Sequence, residues 1–500
     1  MRLGVDFGTT RTTIAEVDRG NYPLATFADG EGDGHEYIPS VAALGPEGLV
    51  YGFQAAQLAL GGAPHARSFK RLLASPDVTA NTAVHIGQQE FPLLELVTGF
   101  LTHVAEAVRA TASAGDRDLE AVVGIPAHAH SAQRFLTLEA FKAAGFNVIT
   151  MLNEPSAAGF EYTHRHAGTV NSRRTKILVY DLGGGTFDAS LVSVEGKDHE
   201  VLGSHGNNLL GGDDFDVVLA ECAARAAGSS KEELDESAWH SLVEASRLAK
   251  ETLVPQSRFV TIDVDGSPVT LPVSDFYEAA SPLVESTFST MEPLMDVSGD
   301  QAAIAGDVAG LYVVGGGSEL PVVSRMLRKR YGRRVHRSPY TAGSTAIGLA
   351  IAADPEAGYS LSDRLSRGVG VFREGESGAV VTFDALLSPQ LRVSPGEPVS
   401  VTRRYNAAHD VGRYRFVEYA DLRDGEPAGA VIPCGQISFP FEASLRDKDV
   451  DLDEIEVHRS GHGPLVEENY TVDENGIVEV SIREVDSGFE IRRSLASRHG

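Results

Sequence analysis

The chain has 500 residues, an ordinary apolar fraction of 42% and a formal net charge of −27. That length gives two or three domains with ample core. The strong acidity, with no dominant basic stretch, argues against nucleic acid or an anionic membrane surface as a partner. Only Cys222 and Cys434 occur, both in apolar surroundings, and they read as buried thiols rather than a disulfide. The N-terminus lacks a charged segment followed by an apolar one, and no apolar run is long enough to span a bilayer. The expected compartment is therefore the reducing cytoplasm.

In chain order, Arg2 to Phe7 reads as a strand and Thr12 to Val17 as its return, joined through Gly8-Thr9-Thr10. Leu93 to Ala112 carries Leu94, Val97, Leu101, Val104 and Val108 at helical spacing. Ala121 to Ile125 is a strand ended by Pro126, Gln133 to Ala144 a helix, and Asn147 to Leu152 a strand. Ile177 to Tyr180 and Phe187 to Val194 are strands flanking Gly183-Gly184-Gly185. Phe259 to Val264 and Val269 to Val273 form a hairpin around Asp265-Gly266, and a helix starts near Ser274. Leu311 to Val314 is a strand running into Gly315-Gly316-Gly317-Ser318, and Leu320 to Arg330 is helical with Pro321 in its first turn.

The character changes near Asp354. Residues 1–353 alternate strands and helices, and 354–365 read as a linker. Residues 366–500 carry short strands with turn signals: Gly370 to Phe372, Ala379 to Phe383, Val399 to Tyr405, Arg413 to Tyr419, Gly435 to Phe441, Ile455 to His458, Asn469 to Val472, Ile477 to Arg483 and Gly488 to Ile491. That pattern predicts a β-sandwich.

Two hairpins carry the chemistry. Asp6-Phe7-Gly8 aligns with Asp181-Leu182-Gly183, which points to an internal duplication with facing halves. A plain turn accounts for the glycines by their positive φ angles. It does not account for the aspartates on the shoulders or for Thr9, Thr10 and Thr186. Bare glycines also let an anion approach main-chain N–H groups. The spacing is neither a dinucleotide fingerprint nor a Walker loop. The pattern predicts a phosphate clamp in which Asp6 and Asp181 hold Mg²⁺ through its waters, since magnesium keeps several waters beside a few carboxylates.

Further motifs stand in order along the chain: Phe69-Lys-Arg-Leu, Ile125-Pro-Ala, Ala132-Gln-Arg, Asn153-Glu-Pro-Ser-Ala-Ala, Leu210-Gly-Gly-Asp-Asp-Phe-Asp, Gly315-Gly-Gly-Ser-Glu-Leu-Pro and Tyr470-Thr-Val-Asp-Glu-Asn-Gly-Ile-Val. With the two hairpins, they resemble the DnaK-type, seventy-kilodalton heat-shock chaperone family over nearly the whole chain. The resemblance implies an α/β actin-like ATPase domain, duplicated into two lobes, followed by an all-β sandwich that binds polypeptide. It implies ATP/ADP and Mg²⁺ as cofactors. Lys70 is then the catalytic lysine at the γ-phosphate and attacking water, with Glu154, Asp181, Thr186 and Asp188 beside it. Gly8, Thr9, Thr10, Gly183, Gly184, Gly185, Thr186, Gly211, Gly212, Lys250, Gly315, Gly316, Gly317 and Ser318 become nucleotide contacts, and Asp6 and Asp181 serve the metal. Pro126 and Arg134 match residues that relay nucleotide state to the sandwich.

The departures from the family are specific. Glu251 and Glu319 align with the two arginines between which the family holds adenine, while Arg247 aligns with a glutamate and Lys250 is retained. A carboxylate cannot supply the cation–π contact of a guanidinium. The linker lacks the family's run of leucine-like residues. Thr150 stands where the family often has an arginine for J-domain partners, which leaves J-domain and nucleotide-exchange partners open. The helical lid that follows the sandwich in the family is expected to be missing, and bound peptide is then expected to leave fast. Tyr414, Phe416, Leu386 and Leu387 read either as sandwich core or as the border of a peptide groove. The leading expectation is an ATP-driven chaperone acting on unfolded or extended polypeptide. The alternatives are a nucleotide-set regulatory or scaffold protein with negligible hydrolysis and, last, a small-molecule kinase.

Overall fold

The computed structural model describes residues 1–111, 117–166, 168–295, 304–365, 367–375, 380–393, 398–446, 451–460 and 462–495. The chain divides into two compact units: residues 1–71, 103–127 and 152–360, and residues 72–102, 128–151 and 361–500.

The first unit holds two sheets on one plan. Strand Arg2–Phe7 pairs in parallel with Leu119–Ile125 on one side and antiparallel with Arg11–Glu16 on the other. Strand Lys176–Leu182 likewise pairs in parallel with Val308–Val314 and antiparallel with Phe187–Glu195. Asp198–Asn207 and Val335–Arg337 widen the second sheet. The central strands are apolar on both faces because helices cover them, as parallel sheets require; every residue of Val308–Val314 is buried. One cover is the helix Ser344–Ala353, buried almost end to end. It crosses the helix Glu154–Arg165 backbone to backbone at Gly348, where any Cβ would sit 1.8 Å from the carbonyl oxygen of Ala157.

In the second unit two four-stranded antiparallel sheets form a sandwich. One runs Val380–Leu387, Gly368–Gly375, Val411–Arg423, Glu426–Pro440, and the other Val399–Asn406, Leu465–Val472, Val478–Glu484, Glu490–Ser494. Strand Leu465–Val472 alternates inward and outward residues along its length. Val466, Tyr470, Val480, Ile482, Phe416 and Phe439 meet in the core between the sheets. The same unit includes the helix Ser131–Ala143, whose first N–H, at Ser131, donates to Glu418 Oε1 at 2.9 Å.

Most predicted elements form within a few residues of their expected bounds. The predicted helix Leu93 to Ala112 is helical over Leu93–Arg109; Ala112, like the expected strand start Ala379, lies outside the described residues. One expectation is corrected. Ile455 to His458 is not a strand; only an isolated bridge, His409 to Arg459, forms beside it. Its backbone groups find other partners: the Asp410 N–H donates to His458 O at 3.0 Å, and side chains take further groups in and beside the segment. The Arg413 guanidinium donates to the carbonyls of Asp453 at 3.0 Å and Ile455 at 2.6 Å, and His458 N–H donates to Asp410 Oδ1 at 2.8 Å. Such local side-chain bonds compete with a sheet ladder.

Candidate functional site

The two hairpin tips of the first unit face each other. A Cβ on Gly184 would lie 2.5 Å from Thr10 Oγ1, and one on Gly185 would lie 2.6 Å from Thr9 Cγ2. None of Gly183, Gly184 and Gly185 has a positive φ. These glycines therefore serve close approach rather than turn geometry, a correction to the plain-turn reading. The loop is closed by Gly183 N–H donating to Thr186 O at 2.9 Å. It is held from behind by the N-terminus of the helix Gly212–Ala226, where the N–H groups of Gly212 and Asp213 donate to the carbonyls of Gly183 and Gly184 at 2.9 and 2.7 Å.

Between the tips opens a cavity of about 480 Å³. Of the expected site residues, Asp6, Gly8, Thr9, Thr10, Lys70, Glu154, Asp181, Gly183, Gly184, Thr186, Gly212, Lys250, Gly315, Gly316 and Gly317 line it. Gly185, Gly211, Asp188 and Ser318 stand behind that surface. Gly211 packs on the Gly185 backbone, and the Ser318 hydroxyl donates to Val314 O at 2.7 Å, which fixes the third glycine turn. Lys250 reaches the cavity while donating to Gly212 O at 2.7 Å and pairing with the buried Asp216 at 2.7 Å.

Lys70 and Glu154 form a buried ion pair at 2.9 Å on the cavity floor. Burial alone would lower the lysine's pKa; the charges of Glu154, Asp6 and Asp188 outweigh it and hold the ammonium above its ordinary value. The neighbouring carboxyls go the other way. Burial first, and then the Glu154 charge, push Asp6 and Asp188 up to about 7. Asp181 is raised well above the usual range by burial and by Glu154, Asp6 and Asp188. Asp181 and Asp188 are direct cross-strand partners, which accounts for their mutual repulsion. Asp188 Oδ1 is buried without a hydrogen-bond partner.

This surplus of buried negative charge around one lysine fits a bound cation. Among the described residues no three His, Cys, Asp or Glu side chains converge as direct metal ligands. The donor set therefore suits an ion held through its own waters, as magnesium prefers.

Beyond the glycine turns the cavity is lined by Leu253, Val254, Pro255 and Leu320 together with charged pairs. Glu251 accepts from Arg11 at 2.8 Å and from Arg247 at 3.2 Å, and Glu319 faces Arg337 at 3.6 Å. The two carboxylates expected to leave this end acidic are each paired with arginine. The sequence reading did not identify Arg11 or Arg337. Arg11 directly follows Thr10, and its guanidinium lies over the Tyr37 ring at 4.4 Å.

In the sandwich, Tyr414, Phe416, Leu386 and Leu387 are all buried core residues, which settles their two readings in favour of core. A polar network reaches Tyr414. Glu468, fully buried, accepts from both Arg373 Nη atoms at 3.1 and 2.6 Å and from the hydroxyls of Tyr405 and Tyr470. Arg373 also pairs with Asp384 at 2.7 Å, and Tyr414 shares its hydroxyl with Tyr405 at 2.6 Å. Arg134 donates to Asn475 O at 3.3 Å within the second unit, and Thr150 donates to Glu474 O at 3.5 Å.

Comparison with known proteins places this geometry. A family model described as Hsp70 protein matches residues 2–364. Similar curated proteins include the chaperone protein HscA of Escherichia fergusonii, 34% identical over 375 residues, and that of Escherichia coli O6:H1, also 34% identical over 375 residues. HscA of Escherichia coli O17:K52:H18 is 33% identical over the same length. Each match takes in 71% of this chain and 58% of the relative, so the chain spans little more than half the length of these relatives. With its duplicated α/β unit around a glycine-lined cleft and its β-sandwich, the chain belongs to the Hsp70 family.

Proposed function

We propose that this protein is an ATP-dependent molecular chaperone, hydrolysing ATP in the glycine-lined cleft and coupling that reaction to binding of extended polypeptide by the sandwich. In this reading residues 1–353 are the nucleotide-binding domain, 354–365 the linker and 366–500 the polypeptide-binding domain, and the protein works in the cytoplasm. Among the described residues no helix is long and apolar enough to cross a membrane.

The observation that carries the reading is the buried Lys70–Glu154 pair on the floor of a cleft whose walls are two facing glycine hairpins. ATP places its phosphates between the tips, near N–H groups and the hydroxyls of Thr9, Thr10 and Thr186. Asp6 and Asp181 would hold Mg²⁺ through its waters, and the ion would supply charge neutralisation at the phosphates. Lys70 donates to the γ-phosphate region, where its fixed charge acts most strongly out of water. Glu154 orients that ammonium, and Asp188, with an unpartnered oxygen, receives the attacking water. The bonds from Ser131 to Glu418 and from Arg134 to Asn475 link the helix after Pro126 to a sandwich strand and a sandwich turn, which supports a mechanical route to the polypeptide site. On the sandwich, the edge strand Val380–Leu387 exposes Val380 and Val381 beside Phe372, a surface suited to pairing with an extended apolar segment.

The test is Mg²⁺-dependent ATP binding and single-turnover hydrolysis, wild type beside Lys70→Ala. Binding retained with hydrolysis reduced by about 10²–10³-fold is expected, the loss typical of one transition-state donor. Binding without hydrolysis in the wild type would instead make the protein a nucleotide-set scaffold.

A further inference from the structure

We infer that the base end of the cleft admits 6-oxopurine nucleotides alongside adenine nucleotides, with Glu319 and Arg337 reading the edge of the base. The inference rests on the nucleotide reading above and concerns the part of the cavity that the phosphate turns leave over. There, Leu253, Val254, Pro255 and Leu320 offer apolar walls, and the carboxylates of Glu251 and Glu319 supply the acceptors.

The two carboxylates are not equally available. Both oxygens of Glu251 are occupied, Oε2 by Arg11 at 2.8 Å and Oε1 by Arg247 at 3.2 Å. Glu319 is held only loosely, 3.6 Å from Arg337, and the two side chains are 50% and 40% exposed. An ion pair this open costs little to rearrange. Arg337 is fixed independently, because its Nε–H donates to Thr341 Oγ1 at 3.1 Å. The pair therefore presents a positioned guanidinium beside a carboxylate with unused lone pairs.

That arrangement distinguishes the purines. Guanine carries the O6 acceptor next to the N1–H and N2–H donors. The carboxylate takes both donors and the guanidinium donates to O6. Adenine carries an amino donor next to the N1 acceptor, so it uses one carboxylate oxygen and leaves the other unmatched. A site built this way has no group that rejects guanine, and it gives guanine one more hydrogen bond than adenine. A good bidentate contact to a base edge discriminates by about tenfold or more.

The experiment is calorimetric titration of the full chain, with Mg²⁺, by GDP, IDP, ADP and inorganic tripolyphosphate, in wild type, Glu319→Ala and Arg337→Ala. Tripolyphosphate has no base and reports whether a variant keeps its phosphate site. The expected result is GDP binding at least as tight as ADP in the wild type, with IDP, which lacks the 2-amino group, weaker than GDP. Glu319→Ala should weaken GDP by about tenfold, ADP less, and tripolyphosphate not at all. GDP about a hundredfold weaker than ADP in the wild type, or equal losses for GDP and ADP in Glu319→Ala, would overturn the inference. Binding of ADP and tripolyphosphate without GDP leaves the phosphate clamp standing and removes only the base assignment. Failure of every ligand removes the nucleotide reading itself.

Discussion

Lys70 and the four carboxyls around it set the behaviour of the cleft at the scale of single residues. Asp6 and Asp188 are held up to about 7, by burial first and by the charge of Glu154 second. In the unfolded chain the same groups ionise near the ordinary carboxylate value, roughly 4. Between those values the folded state binds more protons than the unfolded one, so their contribution to stability falls as pH rises through that window. We predict that the ligand-free protein melts at a higher temperature at about pH 5.5 than these groups allow at about pH 7.5, and that Asp188→Asn removes part of the difference. Binding of a magnesium nucleotide favours the ionised forms. Calorimetry in buffers of different ionisation enthalpy should therefore show proton release on binding near neutral pH, and a proton-neutral titration would contradict the assignment. Asp6 and Asp181 were legible in the sequence because they stand at matching places in two hairpins, whereas Lys70, Glu154 and Asp188 were reached only through the family resemblance. Arg11 and Arg337 were not legible. Nothing in the local sequence shows that they reach Glu251 and Glu319, since those partners lie 240 residues away in one case and on a separate turn in the other.

At the scale of elements, the two hairpins behave as a facing pair because their glycines leave no room for a side chain. Gly184→Ala would place a methyl group 2.5 Å from Thr10 Oγ1, and we predict loss of nucleotide binding with little change in the far-ultraviolet circular dichroism. The bond from Arg11, on the returning strand of the first hairpin, to Glu251, at the end of the helix Glu236–Glu251, bridges the cleft. Both side chains are about one-third exposed, so the pair is worth only about 1 kcal/mol or less. Arg11→Ala and Glu251→Ala should each speed ADP release a few-fold, with non-additive effects in the double variant, measured by stopped-flow chase. The helix Leu93–Arg109 was readable from its periodicity, whereas the helices Gly52–Leu60 and Gly212–Ala226 were not read. The helix Ser344–Ala353 was not readable, because it is apolar all round and so carries no one-sided stripe. Ile455 to His458 failed for the opposite reason: it alternates like a strand, but the Arg413 side chain takes the Ile455 carbonyl and the Asp410 carboxylate takes the His458 N–H.

At the scale of the whole molecule, the sandwich departs from a purely apolar core. Glu468 is fully buried and its charge is matched by Arg373. Removing one partner of such a pair leaves the other buried and unpaired, which costs about 3–5 kcal/mol. Glu468→Ala should lower the urea midpoint of the sandwich transition accordingly, and Glu468→Gln should lower it less. This network could not be read from the strand pattern, in which Arg373 looks like an outward-facing residue of its strand. The family, the duplicated α/β unit and the sandwich were readable because ordered motifs span the chain. A polypeptide-binding surface was not, because Tyr414 and Phe416 serve the sandwich core.

In our proposal, nucleotide chemistry in the cleft is coupled to polypeptide binding by the sandwich. The most direct measurement is the single-turnover rate of ATP hydrolysis with and without a saturating extended apolar peptide, in wild type and Arg134→Ala. Acceleration by peptide in the wild type, reduced in Arg134→Ala, is the predicted result. A rate indifferent to peptide in the wild type would contradict the coupling.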